Sequence, residues 1–124
     1  MAYILLIEDH QANADLMKRA LETAGFQVKH TLYGLAAASM VRKERPDLIL
    51  IDFDLPDIDG RKVVALLRNR LGGQRAPPII AVTARVSGME MQIAEGLGCA
   101  AFIGKPFLPD ELVKVVNGFL RPVR

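Results

Sequence analysis

Two rhythms of apolar and polar positions take turns along the chain. Tyr3-Ile4-Leu5-Leu6-Ile7 is a continuous apolar run, short and β-branched enough to predict a strand buried on both faces. Ala14, Leu16, Met17, Ala20, Leu21 and Ala24 then recur at helical spacing, with Gly25 as a C-terminal stop. Phe26 to Thr31 predicts a second strand, whose polar alternates Gln27 and Lys29 suit a sheet edge. Leu35 to Arg42 reads as a short Ala-rich helix closed by Arg45-Pro46, because a residue before proline is pushed out of the helical region.

The cycle then repeats. Leu48-Ile49-Leu50-Ile51 predicts another fully buried strand, followed by a Pro56 to Gly60 turn and a helix carrying Val63, Val64, Leu66 and Leu67. Residues 71–78 are a loop by composition, and Ile79 to Val82 predicts the fourth strand. The next helix holds Met89, Met91, Ile93, Ala94 and Leu97, and core packing is the expected role of its methionines, in preference to a partner surface. Gly88, Gly96 and Gly98 punctuate it, and at about 1 kcal/mol each inside a helix they predict the least rigid helix of the set. Ala100 to Ile103 predicts the fifth strand, and Leu112, Val115, Val116, Phe119 and Leu120 line the last helix. Five βα units in this order predict an α/β fold: a five-stranded parallel sheet with helices on both faces. Right-handed crossovers leave few topologies open.

Composition narrows the class. A length of 124 residues suits one compact domain, residues 1–124, and an apolar content of 51% supports a sizeable core. The charge balance, 16 basic against 14 acidic residues, is too even for direct nucleic-acid binding, and the basic residues are scattered. Cys99 is the only cysteine, so an internal disulfide and a Cys-based zinc site are both excluded. It is expected to be a small apolar residue rather than a reactive thiol. Met1-Ala2-Tyr3 runs straight into the first strand with no basic leader, and no apolar stretch approaches the roughly 20 residues that span a bilayer. A cytoplasmic protein with no membrane partner is the expectation.

The chemistry lies at the strand ends. The first strand ends in Glu8-Asp9, the third in Asp52, the fourth in Thr83, and the fifth runs into Lys105-Pro106. In an open parallel sheet the carboxyl ends share one edge, where ligand sites form at the reversal of strand order. Any one of these positions could be a solvated loop residue; five on four strands point to a site. Three carboxylates at one edge repel one another unless a cation sits between them. Hard oxygen donors without a cysteine or histidine suit Mg²⁺ or Mn²⁺ rather than zinc. A carboxylate beside such an ion can attack phosphorus to form an aspartyl phosphate. The transferred group spreads charge over three oxygens, and the cation, the Lys105 ammonium and the Thr83 hydroxyl could each take one.

Glu8-Asp9, the stretch from Ile51 through Asp52-Phe53-Asp54-Leu55-Pro56 to Gly60, Val82-Thr83-Ala84 and Gly104-Lys105-Pro106 together resemble the receiver domain of two-component response regulators. The resemblance covers the whole chain in order and spacing. It implies a flavodoxin-like (βα)5 fold with strand order 2-1-3-4-5. It also implies that Asp52 is the phosphoacceptor, that Asp9 and Asp52 bind Mg²⁺ or Mn²⁺ directly, and that Glu8 holds the ion through water. Asp54 would add its backbone carbonyl, and Thr83 and Lys105 would contact the phosphoryl group. A cis Lys105-Pro106 peptide is implied, at a cost of about 0.5–1 kcal/mol. Thr83 and Phe102 would form the conformational switch, although a static core aromatic is the plain alternative for Phe102. The implied partners are a sensor histidine kinase or histidine phosphotransfer protein, and a downstream protein docking on the fourth helix, fifth strand and fifth helix. Such a protein catalyses its own phosphorylation and dephosphorylation and is not a turnover enzyme.

Two positions are individual. Asp54 and Arg85 each stand two residues past a site residue and are opposite in sign, so pairing across the site mouth and solvation of Asp54 are both open. His10 and His30 are expected to be bystanders at the rim and on the edge strand. Asp52-Phe53-Asp54 also resembles the opening motif of haloacid-dehalogenase-type phosphatases. Against that stand the acidic pair a full β-α-β-α earlier, Leu55-Pro56 after the motif, and a length too short for a cap domain. A pseudo-receiver binding module is a third class, but such modules lose the acceptor, the lysine or the acidic pair, and all are present. The chain closes at Arg121-Pro122-Val123-Arg124, which suits a stand-alone regulator or relay and equally a piece of a longer protein.

Overall fold

The structure is a computed structural model, and it describes residues 3–72, 76–84 and 87–121. Five strands and five helices alternate: β1 (Ile4–Ile7), α1 (Gln11–Thr23), β2 (Val28–Thr31), α2 (Gly34–Lys43), β3 (Leu48–Asp52), α3 (Gly60–Arg70), β4 (Ile79–Thr83), α4 (Gly88–Gly96), β5 (Ala101–Gly104) and α5 (Pro109–Asn117). The strands form one parallel sheet in the order β2-β1-β3-β4-β5, as the family resemblance implies. Among the described residues, no helix is long and apolar enough to cross a membrane.

Strand periodicity divides the core. Leu5, Ile7, Ile49, Ile51, Ile79 and Ala81 pack on one face with Ala37 and Val41 of α2, Val63, Val64 and Leu67 of α3, and Ala94 of α4. Their strand neighbours Ile4, Leu6, Leu48, Leu50, Ile80, Val82 and Ile103 pack on the other with Ala14, Met17 and Leu21 of α1 and Leu112 and Val116 of α5. Successive strand side chains point to opposite faces, so an apolar run with no polar alternates is what two covered faces require.

Boundaries moved for physical reasons. β2 starts at Val28 rather than Phe26, because Gly25 turns the chain at φ 99° and the Phe26 amide still donates to the Leu21 carbonyl. β3 and β4 each run one residue further than predicted, and so include Asp52 and Thr83. The methionines of α4 overturn the expectation of core packing: Met89 is 72% and Met91 50% exposed, and Ala94 is the buried residue of that helix. The helix has only nine residues, and its short apolar stripe is used up by Ala94 and the half-buried Ile93. Leu16 at 60% and Phe119 at 44% are likewise exposed rather than core. Phe119 falls beyond the end of α5.

Candidate functional site

Parallel pairing brings the polar strand ends together. Ile7 is level with Ile51 across β1 and β3, so Glu8 and Asp52 follow side by side at the point where strand order reverses. Asp52 is level with Val82, and Thr83 with Gly104, which places Lys105 one step further along the same edge. Glu8, Asp52 and Lys105 continue the alternation of Leu6, Leu50 and Ile103, the α1/α5 face of the sheet. Thr83 instead continues the other face, with Ala81.

The result is an ionic triad whose two carboxylates are buried. Lys105 Nζ donates to Glu8 Oε1 at 2.5 Å and to Asp52 Oδ2 at 2.7 Å. Glu8 is 1% and Asp52 4% exposed, and Thr83 is fully buried. Burial pushes the Glu8 carboxyl up to about 7; the Lys105 hydrogen bond opposes this and neighbouring Asp52 adds to it. Burial pulls Lys105 the other way from its partners, but the hydrogen bonds to Asp52 and Glu8 prevail and leave it raised. One ammonium is therefore holding two carboxylates.

Asp9 completes the cluster. Carboxylate oxygens of Glu8, Asp9 and Asp52 and a ring nitrogen of His10 all lie within 4.8 Å of one another. His10 is exposed, with Nδ1 3.0 Å from Asp9 Oδ1; the expected bystander thus stands inside the set. Three hard oxygen donors at this spacing, with more negative charge than Lys105 can neutralise, are compatible with a divalent metal site.

The loop after β3 is held at three points. The Asp54 amide donates to Asp52 Oδ1 at 2.9 Å, which orients the carboxylate. The Gly60 amide donates to the Phe53 carbonyl at 2.9 Å. A Cβ on Gly60 would lie 2.5 Å from the Asp52 carbonyl oxygen and 2.5 Å from Phe53 Cα, so only glycine lets α3 start this close to the end of β3. Asp57 reaches back to α2, accepting from the Gly34 and Leu35 amides at 2.9 Å each. Tyr33, at the N-cap of α2, makes no side-chain cap bond, so a carboxylate from the β3–α3 loop caps the helix instead. Asp59 caps α3 through the Arg61 amide and also pairs with the Arg61 guanidinium at 2.9 Å.

The other predicted residues fall as follows. Phe102 is half-buried against the α2/α3/α4 core. Lys105-Pro106 is cis. Asp54 is exposed, and Arg85, its partner in one of the two open readings, lies outside the described residues, as do residues 1–2, 73–75, 86 and 122–124. Cys99 is half-buried, with burial pushing its thiol up to about 11, far from a reactive thiolate. Beside the triad a cavity of about 410 Å³ opens, lined by Leu16 and Met17 of α1 and by Lys105, Phe107 and Leu112. Sequence reasoning missed the capping role of Asp57 and the close approach at Gly60; the acidic, Gly-terminated turn 56–60 was the available signal for both.

Comparison with known proteins points to one family. The family model for the response regulator receiver domain matches residues 4–117. The polar-differentiation response regulator DivK of Brucella anthropi is 35% identical over 118 residues, covering 94% of each chain. The chemotaxis protein CheY4 of Vibrio cholerae superposes with a TM-score of 0.88 at 27% identity, over 97% of this chain and 99% of that one. The Mn²⁺-bound form of response regulator Rcp1 superposes at 0.77 with 26% identity, over 95% and 91%.

Proposed function

The chain belongs to the response regulator receiver domain family, and on that premise we propose that Asp52 accepts a phosphoryl group from a phosphohistidine of a sensor kinase or phosphotransfer protein. The observation that carries the proposal is the Asp52 carboxylate itself. It is 4% exposed, at the end of a central strand, with one oxygen held by the Asp54 amide and the other by Lys105. A nucleophile so fixed loses little freedom on attack. In the transfer an Asp52 oxygen forms the new bond to phosphorus while the phosphorus–nitrogen bond of the donor breaks.

Glu8, Asp9 and Asp52, with the Asp54 carbonyl, would hold Mg²⁺ or Mn²⁺, and His10 stands at the rim of that set. When bound, the ion supplies charge neutralisation for the acidic cluster and for the incoming phosphoryl oxygens. Lys105 exchanges one carboxylate partner for a phosphoryl oxygen, and the Thr83 hydroxyl donates to another. Thr83 movement vacates space for Phe102, and the α4-β5-α5 face carries the signal to a downstream protein. Exposed Met89 and Met91 on α4 support that assignment, since flexible thioethers suit adaptable contact surfaces. The setting is cytoplasmic, and the product is a lasting acyl phosphate rather than a fleeting intermediate.

Labelling with acetyl phosphate in Mg²⁺ tests the proposal. One phosphoryl group per chain is expected, lost in Asp52→Asn with the circular-dichroism spectrum unchanged. Labelling retained at another residue sinks the acceptor assignment, and many turnovers per chain on an aryl phosphate favour the phosphatase alternative.

A further inference from the structure

We propose that His30 is a positioning residue for the acidic pair, setting the relative placement of the Glu8 and Asp9 carboxylates from the edge strand. The proposal rests on the metal-site reading above and goes beyond it, because His30 belongs to neither the metal nor the phosphoryl contacts.

β1 ends at Ile7, yet the main chain of Glu8 is gripped on both sides by β2. The Glu8 amide donates to the Thr31 carbonyl at 3.1 Å, and the His30 ring donates from Nε2 to the Glu8 carbonyl at 2.8 Å. A carbonyl oxygen only accepts, so Nε2 carries the proton in this contact. The Glu8 carbonyl belongs to the peptide unit that joins Glu8 to Asp9. That unit is planar, so holding its oxygen fixes the orientation of the plane from whose two ends the carboxylates branch. Glu8 is 1% exposed, which leaves its side chain little freedom to correct a rotated backbone. Leu6 is level with His30 across the strands, so the imidazole reaches forward along the strand direction to a group beyond the regular ladder.

The experiment compares Mg²⁺ dissociation constants, by isothermal titration calorimetry, for wild type, His30→Leu and His30→Gln. Glutamine places its amide nitrogen near the position of Nε2 and restores the donor. His30→Leu is expected to weaken Mg²⁺ binding by roughly three- to tenfold, while His30→Gln stays within about twofold of wild type. Acetyl-phosphate labelling of His30→Leu should need more Mg²⁺ for half-maximal rate but reach an undiminished maximum. In the metal-free protein, the amide ¹⁵N resonance of Asp9 should shift in His30→Leu and return toward wild type in His30→Gln. Equal dissociation constants for wild type and His30→Leu overturn the role of His30 alone, as does an equal loss in both variants. If His30→Leu does not fold, His30→Asn takes its place, because its shorter amide cannot reach the carbonyl. Absence of saturable Mg²⁺ binding by the wild type overturns the metal-site reading itself, and this proposal with it.

Discussion

Raising the pH from 5 to 8 in EDTA should lower the melting temperature of this protein, and Glu8 is the reason. Its carboxyl titrates near 4.5 when free and at about 7 in the fold, because burial penalises the charged form. Below 4.5 both states hold the proton. Between 4.5 and 7 the folded state keeps it and the unfolded state does not, so stability falls by about 1.4 kcal/mol per pH unit. Above 7 both are ionised and the loss is complete. The interval from 4.5 to 7 corresponds to roughly 3 kcal/mol, or about 10 °C in melting temperature for a domain of this size. Carboxylates held low, such as Asp59 beside Arg61, act with the opposite sign: their stabilisation is complete above the ordinary carboxylate range and fades only in acid. They leave the window between 5 and 7 to Glu8. Glu8→Gln keeps both histidines, so the difference between its melting curve and that of the wild type isolates the glutamate. Saturating Mg²⁺ should reverse the trend, since a metal requires the ionised carboxylates. Thermal melts by circular dichroism at half-unit pH steps supply the data. A flat wild-type profile in EDTA, or an equal fall in Glu8→Gln, refutes the reasoning.

Lys105→Met leaves two buried carboxylates without their cation and should cost about 3–5 kcal/mol in urea melts at pH 8. The cost should be smaller at pH 5.5, where Glu8 takes up a proton, and Mg²⁺ should recover part of it. Gly60→Ala forces a Cβ against the Asp52 carbonyl and Phe53 Cα, an overpacking worth about 1–3 kcal/mol; on the proposed acceptor role of Asp52, acetyl-phosphate labelling should slow as well, because the displaced carbonyl belongs to that residue. Asp57→Ala removes the cap that the β3–α3 loop supplies to α2 and should cost about 0.5–2 kcal/mol. Hydrogen exchange should then accelerate at the Gly34 and Leu35 amides before it does so elsewhere in the helix.

Much of this protein is legible in one dimension. Strands buried on both faces must be apolar at every position, so Ile4–Ile7, Leu48–Ile51 and Ile79–Val82 declare themselves, and the polar residue that ends each run marks the sheet edge where the candidate site lies. The same parity places Glu8, Asp52 and Lys105 on one face, because each continues an alternation already visible in its strand. α4 was misread for a related reason. Helical spacing of Met89, Met91, Ile93, Ala94 and Leu97 says which residues share a stripe, but not whether the sheet is wide enough to cover it. Only the tertiary structure decided that Ala94 is covered and the methionines are not.

Tertiary structure also decided every contact made by backbone groups across long sequence separations. Asp57 caps a helix 23 residues earlier, and His30 holds a carbonyl 22 residues earlier. His30 has no local sequence signature, and the acidic turn 56–60 marks Asp57 without naming the helix it caps, because a hydrogen bond between remote segments depends on where strands and loops come to rest in space. The sequence by itself determined which groups end the strands, and with them the kind of chemistry available. What only the fold decided is how closely those groups stand: one lysine between two buried carboxylates, within reach of both, a spacing set by strand register and invisible to periodicity.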